Sequence, residues 1–160
     1  MAKINSLIFN DLEVEDDFRW LLKQRFAEDD VYNLYKREIN FVPMDTDLTN
    51  KTELPAVTLS LFQSQSIYRD TEQVQGYTPF TVEVNVYTSG DSKVLKNKQI
   101  CNIIIAILQS NGRLPNYYCR GLQLEENNEA NTLLESAYRR VIRMTGICDN
   151  AQKLIFLQGE

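Results

Sequence analysis

Two neighbouring segments alternate between apolar and polar residues, and this alternation constrains the fold more than any other feature of the chain. The segments are residues 56–65 and 79–88. A repeat of two residues is the period of a β-strand with one buried face. A polar segment, residues 68–77, separates them, so we expect an antiparallel hairpin with an enlarged loop. The residues predicted to be buried are Val57, Leu59 and Leu61 in the first strand, and Phe80, Val82, Val84 and Val86 in the second.

Two other segments have the spacing of amphipathic helices, with apolar residues three and four positions apart. The first is residues 10–27, whose acidic early turns we interpret as helix-start chemistry on a solvated face. The second is residues 92–110, which is so apolar that it must lie against a sheet or between a sheet and a neighbouring subunit. The predicted buried stripes are Val14, Phe18, Leu21, Leu22 and Phe26, then Val94, Ile100, Cys101, Ile103, Ile104, Ile105, Ile107 and Leu108.

Three weaker strand candidates complete the sequence of elements, and they are residues 36–43, 116–124 and 134–148. Polar, turn-rich segments predict a loop at residues 44–54 and a turn at residues 126–131. Gly121 marks a bulge in the second candidate. The last candidate carries both arginines and apolar residues on each of its two faces, which is typical of a strand lying partly in an interface.

The predicted order of elements is α-β-β-β-α-β-β. Strands that follow one another without an intervening helix argue against a parallel sheet. We therefore expect an α+β fold, a mostly antiparallel β-sheet with two α-helices packed on one face. A chain of 160 residues is long enough for a single domain, 1–160, and we expect flexible ends at residues 1–9 and 150–160.

The residue inventory argues against catalysis, a metal and a cofactor. The chain has no histidine, so the commonest general base and metal ligand are missing. Cys101, Cys119 and Cys148 are far apart in sequence and are predicted to be buried as small apolar side chains. Asp45 and Asp47 form a DxD that we interpret as a loop capping its own backbone rather than a cation site. A carboxylate-dependent enzyme stays open as an alternative if Asp45, Asp47 and Glu83 converge.

The charge pattern argues against sequence-specific nucleic-acid binding. The formal net charge is −5, and residues 11–30 hold eight acidic and three basic residues, so that segment accounts for the whole surplus. A DNA-reading protein more often presents a basic face. No apolar run approaches the ~20 residues of a membrane span. The amino-terminal residues lack the pattern of a signal peptide, so we expect a cytoplasmic location without a membrane partner.

Two groups of residues admit more than one interpretation. Arg139, Arg140 and Arg143 can bind phosphate, but we favour ion pairing with acidic residues of another element or subunit, with the acidic first helix as the obvious supply. Tyr117 and Tyr118, with Arg120, can stack on nucleotides, but tyrosines on a strand more often serve packing or an interface.

Several local phrases resemble tail terminator (tail-completion) proteins of tailed bacteriophages and related contractile particles. The phrase LPAVTLSLF at 54–62 is similar to that family's proline-led second strand. Residues 66–107 are similar in their polar loop, valine-rich strand, short Ser/Asp turn and helix. The phrase YRRVIRMTGI at 138–147 is similar to the family's terminal strand. The resemblance covers residues 12–148, and the long loop at 44–54 and the acidic amino-terminal region depart from it.

The resemblance implies a structural virion protein at the head–tail junction, assembled in the bacterial host cytoplasm. Such a protein forms a homo-oligomeric ring, usually a hexamer, that caps the head-proximal end of the tail tube and ends tail polymerisation. Its implied partners are the tail tube protein and the head connector or stopper protein, and DNA passes through the channel without sequence-specific binding. The interface residues expected on this basis are Tyr68, Arg69, Asp70, Arg139 and Arg143.

Two alternatives to a tail terminator remain open at this stage. One is another neck or stopper protein that joins head to tail, which gene order would distinguish. The other is a protein-interaction module with no place in a virion, which predicts a monomer or dimer at micromolar concentration.

Overall fold

The structure is a computed structural model that describes residues 11–28, 39–43, 53–63, 67–68, 75–110, 118–132, 134 and 136–149. Two helices and six strands lie in these ranges. The helices are α1 (Asp11–Glu28) and α2 (Lys93–Ser110). The strands are β1 (Asn40–Pro43), β2 (Ala56–Gln63), β3 (Ile67–Tyr68), β4 (Gln75–Ser89), β5 (Tyr118–Ala130) and β6 (Ala137–Asp149).

The strands form one sheet in the order β1-β2-β4-β6-β5, and β3 pairs with β4 outside this path. Every neighbouring pair is antiparallel except β1 with β2, which is parallel. The mostly antiparallel α+β fold is therefore confirmed, as is the order α-β-β-β-α-β-β when the two-residue β3 is counted with the β4 hairpin. The single domain 1–160 stays a prediction.

The hydrophobic core lies between the two helices and one face of the sheet. The register pairs Val57, Leu59 and Leu61 of β2 with Val86, Val84 and Val82 of β4, so all six side chains share this face, which we call the core face. Phe18 of α1 packs against Phe80 of β4, with ring centroids 5.9 Å apart. Burying a side chain of this size stabilises the fold by about 1.5–3 kcal/mol, so this layer dominates folding.

Helix α1 contributes its predicted stripe to the core, and all five predicted residues are buried. Its acidic face is less solvated than expected. Asp16 is exposed and accepts a hydrogen bond from Arg19 at 2.6 Å, but Asp17 is buried. The correction has a geometric reason: Asp17 precedes the buried Phe18 and follows Val14 by three positions, so it lies at the edge of the core stripe.

Helix α2 packs on the centre of the sheet, but its buried stripe differs from the predicted one at the first turn. Val94 is exposed, and the first buried position belongs to Asn97. The Thr88 hydroxyl donates a hydrogen bond to the Lys93 carbonyl at 2.7 Å, so a polar contact holds this turn at the sheet and Val94 faces outward. Ile103 and Ile105 are half-buried beside the core.

The bounds of the last two strands differ from the predicted ones, since β5 ends later and β6 begins later. Strand β5 continues to Ala130, through the segment that was predicted to turn at residues 126–131, because its polar residues find partners on β6. Strand β6 begins at Ala137 rather than at residue 134. The expected irregularity at Gly121 is confirmed, because the β5–β6 register shifts between Arg120 and Gln123.

The hairpin between β2 and β4 has a shorter loop than expected. Ile67 pairs with Tyr77 and Tyr68 with Gln75, so both ends of the predicted 68–77 loop are strand. Residue 10 of the first predicted helix and residues 64–65 and 116–117 of predicted strands lie outside the described residues, as do four further ranges. These four ranges are the ends at 1–9 and 150–160, most of the loop at 44–54, and residues 36–38 of the first strand candidate.

Candidate functional site

The face of the sheet opposite the helices, which we call the outer face, carries most of the polar side chains of the central strands. On β4 it displays Thr81, Glu83, Asn85 and Tyr87, and on β6 it displays Arg139, Val141, Arg143 and Thr145. The alternation along each strand places these residues here, because their neighbours face the core. Both predicted interface arginines of β6 therefore lie on one surface, separated by one outward-facing residue.

Arg143 lies between two carboxylates of the neighbouring strands. Its Nε is 3.1 Å from Glu83 Oε2 on β4, and its Nη1 is 3.0 Å from Glu126 Oε2 on β5. The register produces this arrangement, because Arg143 is the partner of Glu83 on one side and of Glu126 on the other. Half of the Arg143 side chain stays exposed, at 49%, while that of Glu83 is only 13% exposed. A partner can reach the arginine without breaking either ion pair.

Arg139 makes a second set of contacts at the other end of the same face. Its Nε and Nη2 donate to Asn85 Oδ1 at 2.9 and 2.7 Å, and its Nη1 donates to the Asn131 carbonyl at 2.8 Å. The guanidinium carbon also lies 5.9 Å from the centre of the Tyr87 ring. A guanidinium held by two acceptors and an aromatic ring is fixed in place, so Arg139 shapes the surface more than it offers a free charge.

One hydrogen-bonded row links the two arginines. Asn85 Nδ2 donates to Glu83 Oε1 at 3.3 Å, which joins the Arg139 contacts to the Arg143 ion pairs. Two arginines and two glutamates take part, so their formal charges cancel. A neutral, internally bonded row across three strands is suited to rigid docking of another protein surface rather than to proton transfer or phosphate binding.

The outer face is not evenly exposed. A row of register partners is buried although it lies opposite the helices, and its members are Val42, Thr58, Asn85 and Val141. Farther along, Arg143 and Phe62 are exposed, and the Phe62 ring keeps half of its surface free. Thr145 lies near them and donates to Glu125 Oε1 at 3.1 Å. We call Phe62, Thr81, Arg143 and Thr145 the accessible outer face.

The exposed side of α1 forms a second surface, on the opposite side of the sheet. Trp20 is 51% exposed, which is unusual for a tryptophan without a partner surface. Asp16 lies one helical turn before it and is exposed, and Lys23 and Gln24 are exposed in the next turn. An aromatic ring flanked by charges of both signs has the composition of a protein contact.

The remaining predicted site residues are distributed over several elements. Tyr68 lies in β3 as the register partner of Gln75, and Arg69 and Asp70 lie outside the described residues, as do Asp45, Asp47 and Tyr117. Tyr118 and Arg120 are part of β5. Arg140 faces the core side of β6, where its Nη2 donates to the Asn127 carbonyl at 2.9 Å. Within the chain, Arg143 pairs with Glu83 of β4 and Glu126 of β5, and the expected pairing of these arginines with the acidic first helix stays a prediction.

Three hydrogen-bonding residues were not predicted from the sequence. Asn85 and Glu126 contact the outer-face arginines, and Asn97 is buried on α2. The first two depend on the strand register, which no local pattern reveals. Asn97 had a signal in the sequence, since it lies four residues before Cys101 and eleven before Leu108, on the apolar stripe itself. A polar residue at such a position indicates a buried hydrogen-bonding role.

All three cysteines are buried free thiols, which confirms their predicted role as small core residues. Burial raises the pKa of Cys101 to about 11, against a smaller opposing effect of Arg140. A hydrogen bond with Cys148, together with burial, raises the pKa of Cys119 well above its ordinary value. Neither Cys101 nor Cys119 is therefore a reactive thiolate at neutral pH.

Two features are absent from the part of the chain that the structure describes. No three side chains of the metal-ligating types come together there. Neither described helix is long and apolar enough to cross a bilayer.

Comparisons with known proteins give a structural match. No protein-family model and no curated protein sequence matches this chain. Among solved structures, the chain is similar to a chain of the virion of a native gene transfer agent particle, with a TM-score of 0.53 and 13% sequence identity. The match covers 82% of this chain and 93% of that one. A second solved protein matches over 80% of this chain with a TM-score of 0.47 and 13% identity, a score too low to support a conclusion.

The likeness to the gene transfer agent chain shows a shared fold. It spans most of both chains, so the α+β architecture described above is that of a known structural unit. At 13% identity this likeness shows the fold alone.

Proposed function

We propose that this chain is a non-enzymatic structural protein of a tailed bacteriophage or a related particle. The observation that carries the proposal is the fold shared with a chain of a gene transfer agent virion over 82% of this chain. The sequence resemblance to tail terminator proteins supports it independently, because it rests on local phrases and not on the fold. The finer proposal is a ring at the head–tail junction that ends tail-tube polymerisation and joins the tail to the head connector or stopper.

The surfaces of the described residues support assembly into a ring. A closed ring of identical subunits needs two different, complementary surfaces on each copy. The accessible outer face offers Arg143 and Phe62, and the exposed side of α1 offers Asp16 and Trp20. Each surface offers an aromatic ring beside an exposed charged side chain, Arg143 on the outer face and Asp16 on α1. The two surfaces lie on opposite sides of the sheet, so the outer face of one copy can meet the α1 side of the next in a head-to-tail contact.

The rigidity of the outer face also fits a structural role. Arg143 is held by two carboxylates, so it loses little further side-chain freedom when a partner binds. The proposed partners are further copies of the chain in a closed ring such as a hexamer, the tail tube protein, and the head connector or stopper. DNA would cross the channel of such a ring without sequence-specific contacts.

The decisive experiment removes the protein from a particle and then restores it. In a phage or gene transfer agent whose genome encodes this chain, deletion is expected to give filled heads and tails of uncontrolled length that do not join. Negative-stain electron microscopy measures tail length, and a copy supplied in trans should restore normal particles. Normal particles after deletion would refute the virion role.

A second measurement separates a tail terminator from other head–tail proteins. Purified tails assembled with the chain should stop at a uniform length before any head is added. A stopper or neck protein would leave tail length uniform in its absence and would block only the joining step. Native mass spectrometry of the isolated tail end then gives the number of copies in the ring.

A further inference from the structure

Two of the three cysteines face each other across the last two strands. Cys119 of β5 is the register partner of Cys148 of β6, and both side chains are fully buried. Both are free, and they share a hydrogen bond. The third thiol, Cys101, lies on α2 and donates to Asn97 Oδ1 at 3.3 Å. The chain therefore contains one facing pair and one separate thiol.

The backbone already holds the facing pair at a separation that a disulfide can bridge. Directly opposed residues of antiparallel strands have Cα atoms roughly 4.5 or 5.5 Å apart, depending on the position in the ladder. A disulfide requires a Cα separation of roughly 4.4–6.8 Å. Bond formation therefore needs side-chain rotation and a small approach of the Cβ atoms, without a change of strand register.

The pair is buried but lies at a corner of the sheet. Cys119 is the second residue of β5, and Cys148 is the last but one residue of β6. Strand β5 is the edge of the sheet, with β6 as its neighbour. Strand ends open at a low free-energy cost compared with the core, so this corner can open while the centre of the sheet stays intact.

We propose that Cys119 and Cys148 form a redox-sensitive pair, which a small-molecule disulfide converts from two thiols into one cross-strand disulfide. One cysteine, as its thiolate, attacks a sulfur of the reagent RSSR and releases one RS⁻. The other cysteine then loses its proton and attacks the Sγ atom of the first cysteine in this mixed disulfide, which breaks the Sγ–SR bond, forms the Cys119–Cys148 bond and releases the second RS⁻. The two thiol protons end on two molecules of RSH, so the protein is oxidised and RSSR is reduced.

The position of the pair determines what the bond does. It ties the edge strand β5 to β6 at a corner of the sheet, so the oxidised chain should resist unfolding more than the reduced chain. Because the raised pKa of Cys119 disfavours its thiolate in the closed fold, oxidation should be slow and should pass through the opened corner. The inference concerns the chain by itself and does not depend on the proposed virion role.

The test uses the purified, reduced chain and oxidised glutathione at pH 8.5. After incubation, the chain is denatured and its free thiols are alkylated with iodoacetamide for intact-mass and peptide analysis. We expect a loss of about 2 Da before alkylation, one alkylated cysteine instead of three, and a peptide linking Cys119 to Cys148. The thermal midpoint of the oxidised chain should exceed that of the reduced chain by roughly 5–10 °C.

Two variants serve as matched controls. Cys101→Ala should form the same disulfide and retain no free thiol. Cys148→Ala should form no intramolecular disulfide, and circular dichroism checks that this variant folds. If Cys148→Ala does not fold, the Cys101→Ala variant and the peptide map decide whether the Cys119–Cys148 bond forms. Three free thiols after an exposure that oxidises the urea-unfolded chain would overturn the inference, as would a linked peptide containing Cys101.

Discussion

The side-chain amide of Asn97 donates a hydrogen bond to the main-chain carbonyl oxygen of Val86 across 2.8 Å. The same amide nitrogen lies 3.2 Å from the Tyr138 carbonyl and 3.2 Å from the Thr88 hydroxyl. Val86 and Thr88 belong to β4 and Tyr138 belongs to β6, so one fully buried side chain connects α2 to two strands. Apolar contacts alone allow a helix to slide on a sheet, whereas these bonds fix its position.

Replacing Asn97 with alanine should destabilise the fold by about 2 kcal/mol. The change leaves the Val86 and Tyr138 carbonyls without their side-chain donor in a buried place, and such losses cost roughly 1–3 kcal/mol. Urea unfolding followed by circular dichroism measures the difference. Asn102→Ala is the matched control, because Asn102 is exposed on the same helix and should change stability by less than about 0.5 kcal/mol. Equal midpoints for the two variants would contradict the role of Asn97.

Gly146 is required by close packing on the core face of β6. A Cβ atom at this position would lie 2.9 Å from the Phe80 ring and 2.9 Å from the Leu122 side chain. Gly146→Ala should therefore destabilise the fold by about 1–3 kcal/mol through overpacking. Phe80→Leu makes room for the added Cβ. The double variant should therefore lose less free energy of unfolding than the sum of the losses of the two single variants.

Gly90 provides the control for Gly146. It has φ +80° with open space around it, so Gly90→Ala should cost about 1 kcal/mol from backbone strain alone. Because no side chain is near, this cost should be additive with Phe80→Leu in the same unfolding assay. Additivity at Gly146 as well would show that the packing explanation is wrong.

The sequence predicted the elements whose pattern is local. The alternation at 56–65 and 79–88 and the helical spacing at 10–27 and 92–110 each identify one buried face, and the core consists mainly of those residues. The predicted turn at residues 126–131 was wrong because contacts with a distant strand override the local pattern. Glu126 and Asn127 look like turn residues in isolation, but Arg143 and Arg140 on β6 bind them and keep β5 extended.

The candidate site was predicted only in part for the same reason. Arg139 and Arg143 could be placed on one face from their spacing of four, but their partners could not be named without the register. Glu83 and Glu126 are 43 positions apart in sequence, yet both lie beside Arg143 because β6 runs between their strands. Charge pattern alone therefore suggested α1 as the source of acidic partners. Within the chain, the neighbouring strands β4 and β5 supply the two carboxylates that pair with Arg143.

The stability of the fold should fall at alkaline pH because of Cys101. Its folded pKa of about 11 exceeds the ordinary value of 9.0, since burial disfavours the thiolate. The contribution of Cys101 to stability is fully present below about pH 9, where the thiol is protonated in both the folded and the unfolded chain. It is lost as the pH rises from 9 to 11, because the unfolded chain then binds fewer protons. The full effect is about 2–3 kcal/mol.

The Cys101 contribution can be isolated by comparing variants. Urea midpoints of the native chain and of Cys101→Ala are measured from pH 8 to pH 11. Other groups also titrate in this range, so the readout is the difference between the two chains. That difference should shrink or reverse as the pH rises, whereas a constant offset would show that Cys101 does not titrate as stated.

The hairpin between β3 and β4 offers a test of the predicted contact at Tyr68, Arg69 and Asp70. Replacing residues 69–74 with Asn-Gly should keep the Tyr68–Gln75 pairing, because this dipeptide favours a two-residue hairpin turn. We expect an unchanged thermal midpoint and a loss of tail capping, seen as tails of variable length by electron microscopy. Tails of normal length would remove this segment from the proposed interface.

Arg143 tests the proposed subunit contact, and the choice of substitution decides how clear the result is. Glutamate would add a third carboxylate beside Glu83 and Glu126 and would disturb the sheet itself. Arg143→Gln removes the charge and keeps hydrogen-bonding atoms, so the monomer should lose about 1 kcal/mol or less, as partly exposed ion pairs do. Ring assembly, measured by native mass spectrometry at moderate salt, should fall because the accessible outer face loses the cation proposed to contact the neighbouring subunit.

The control for Arg143 is Lys98→Gln, which removes the same charge from an exposed position of α2 on the helix side of the sheet. It should leave both the unfolding midpoint and the assembled fraction unchanged. A general effect of net charge would lower assembly equally in the two variants, whereas a specific contact lowers it only for Arg143→Gln. Raising the salt should weaken native assembly and narrow the gap between the native chain and Arg143→Gln, because a half-exposed charge is screened by salt.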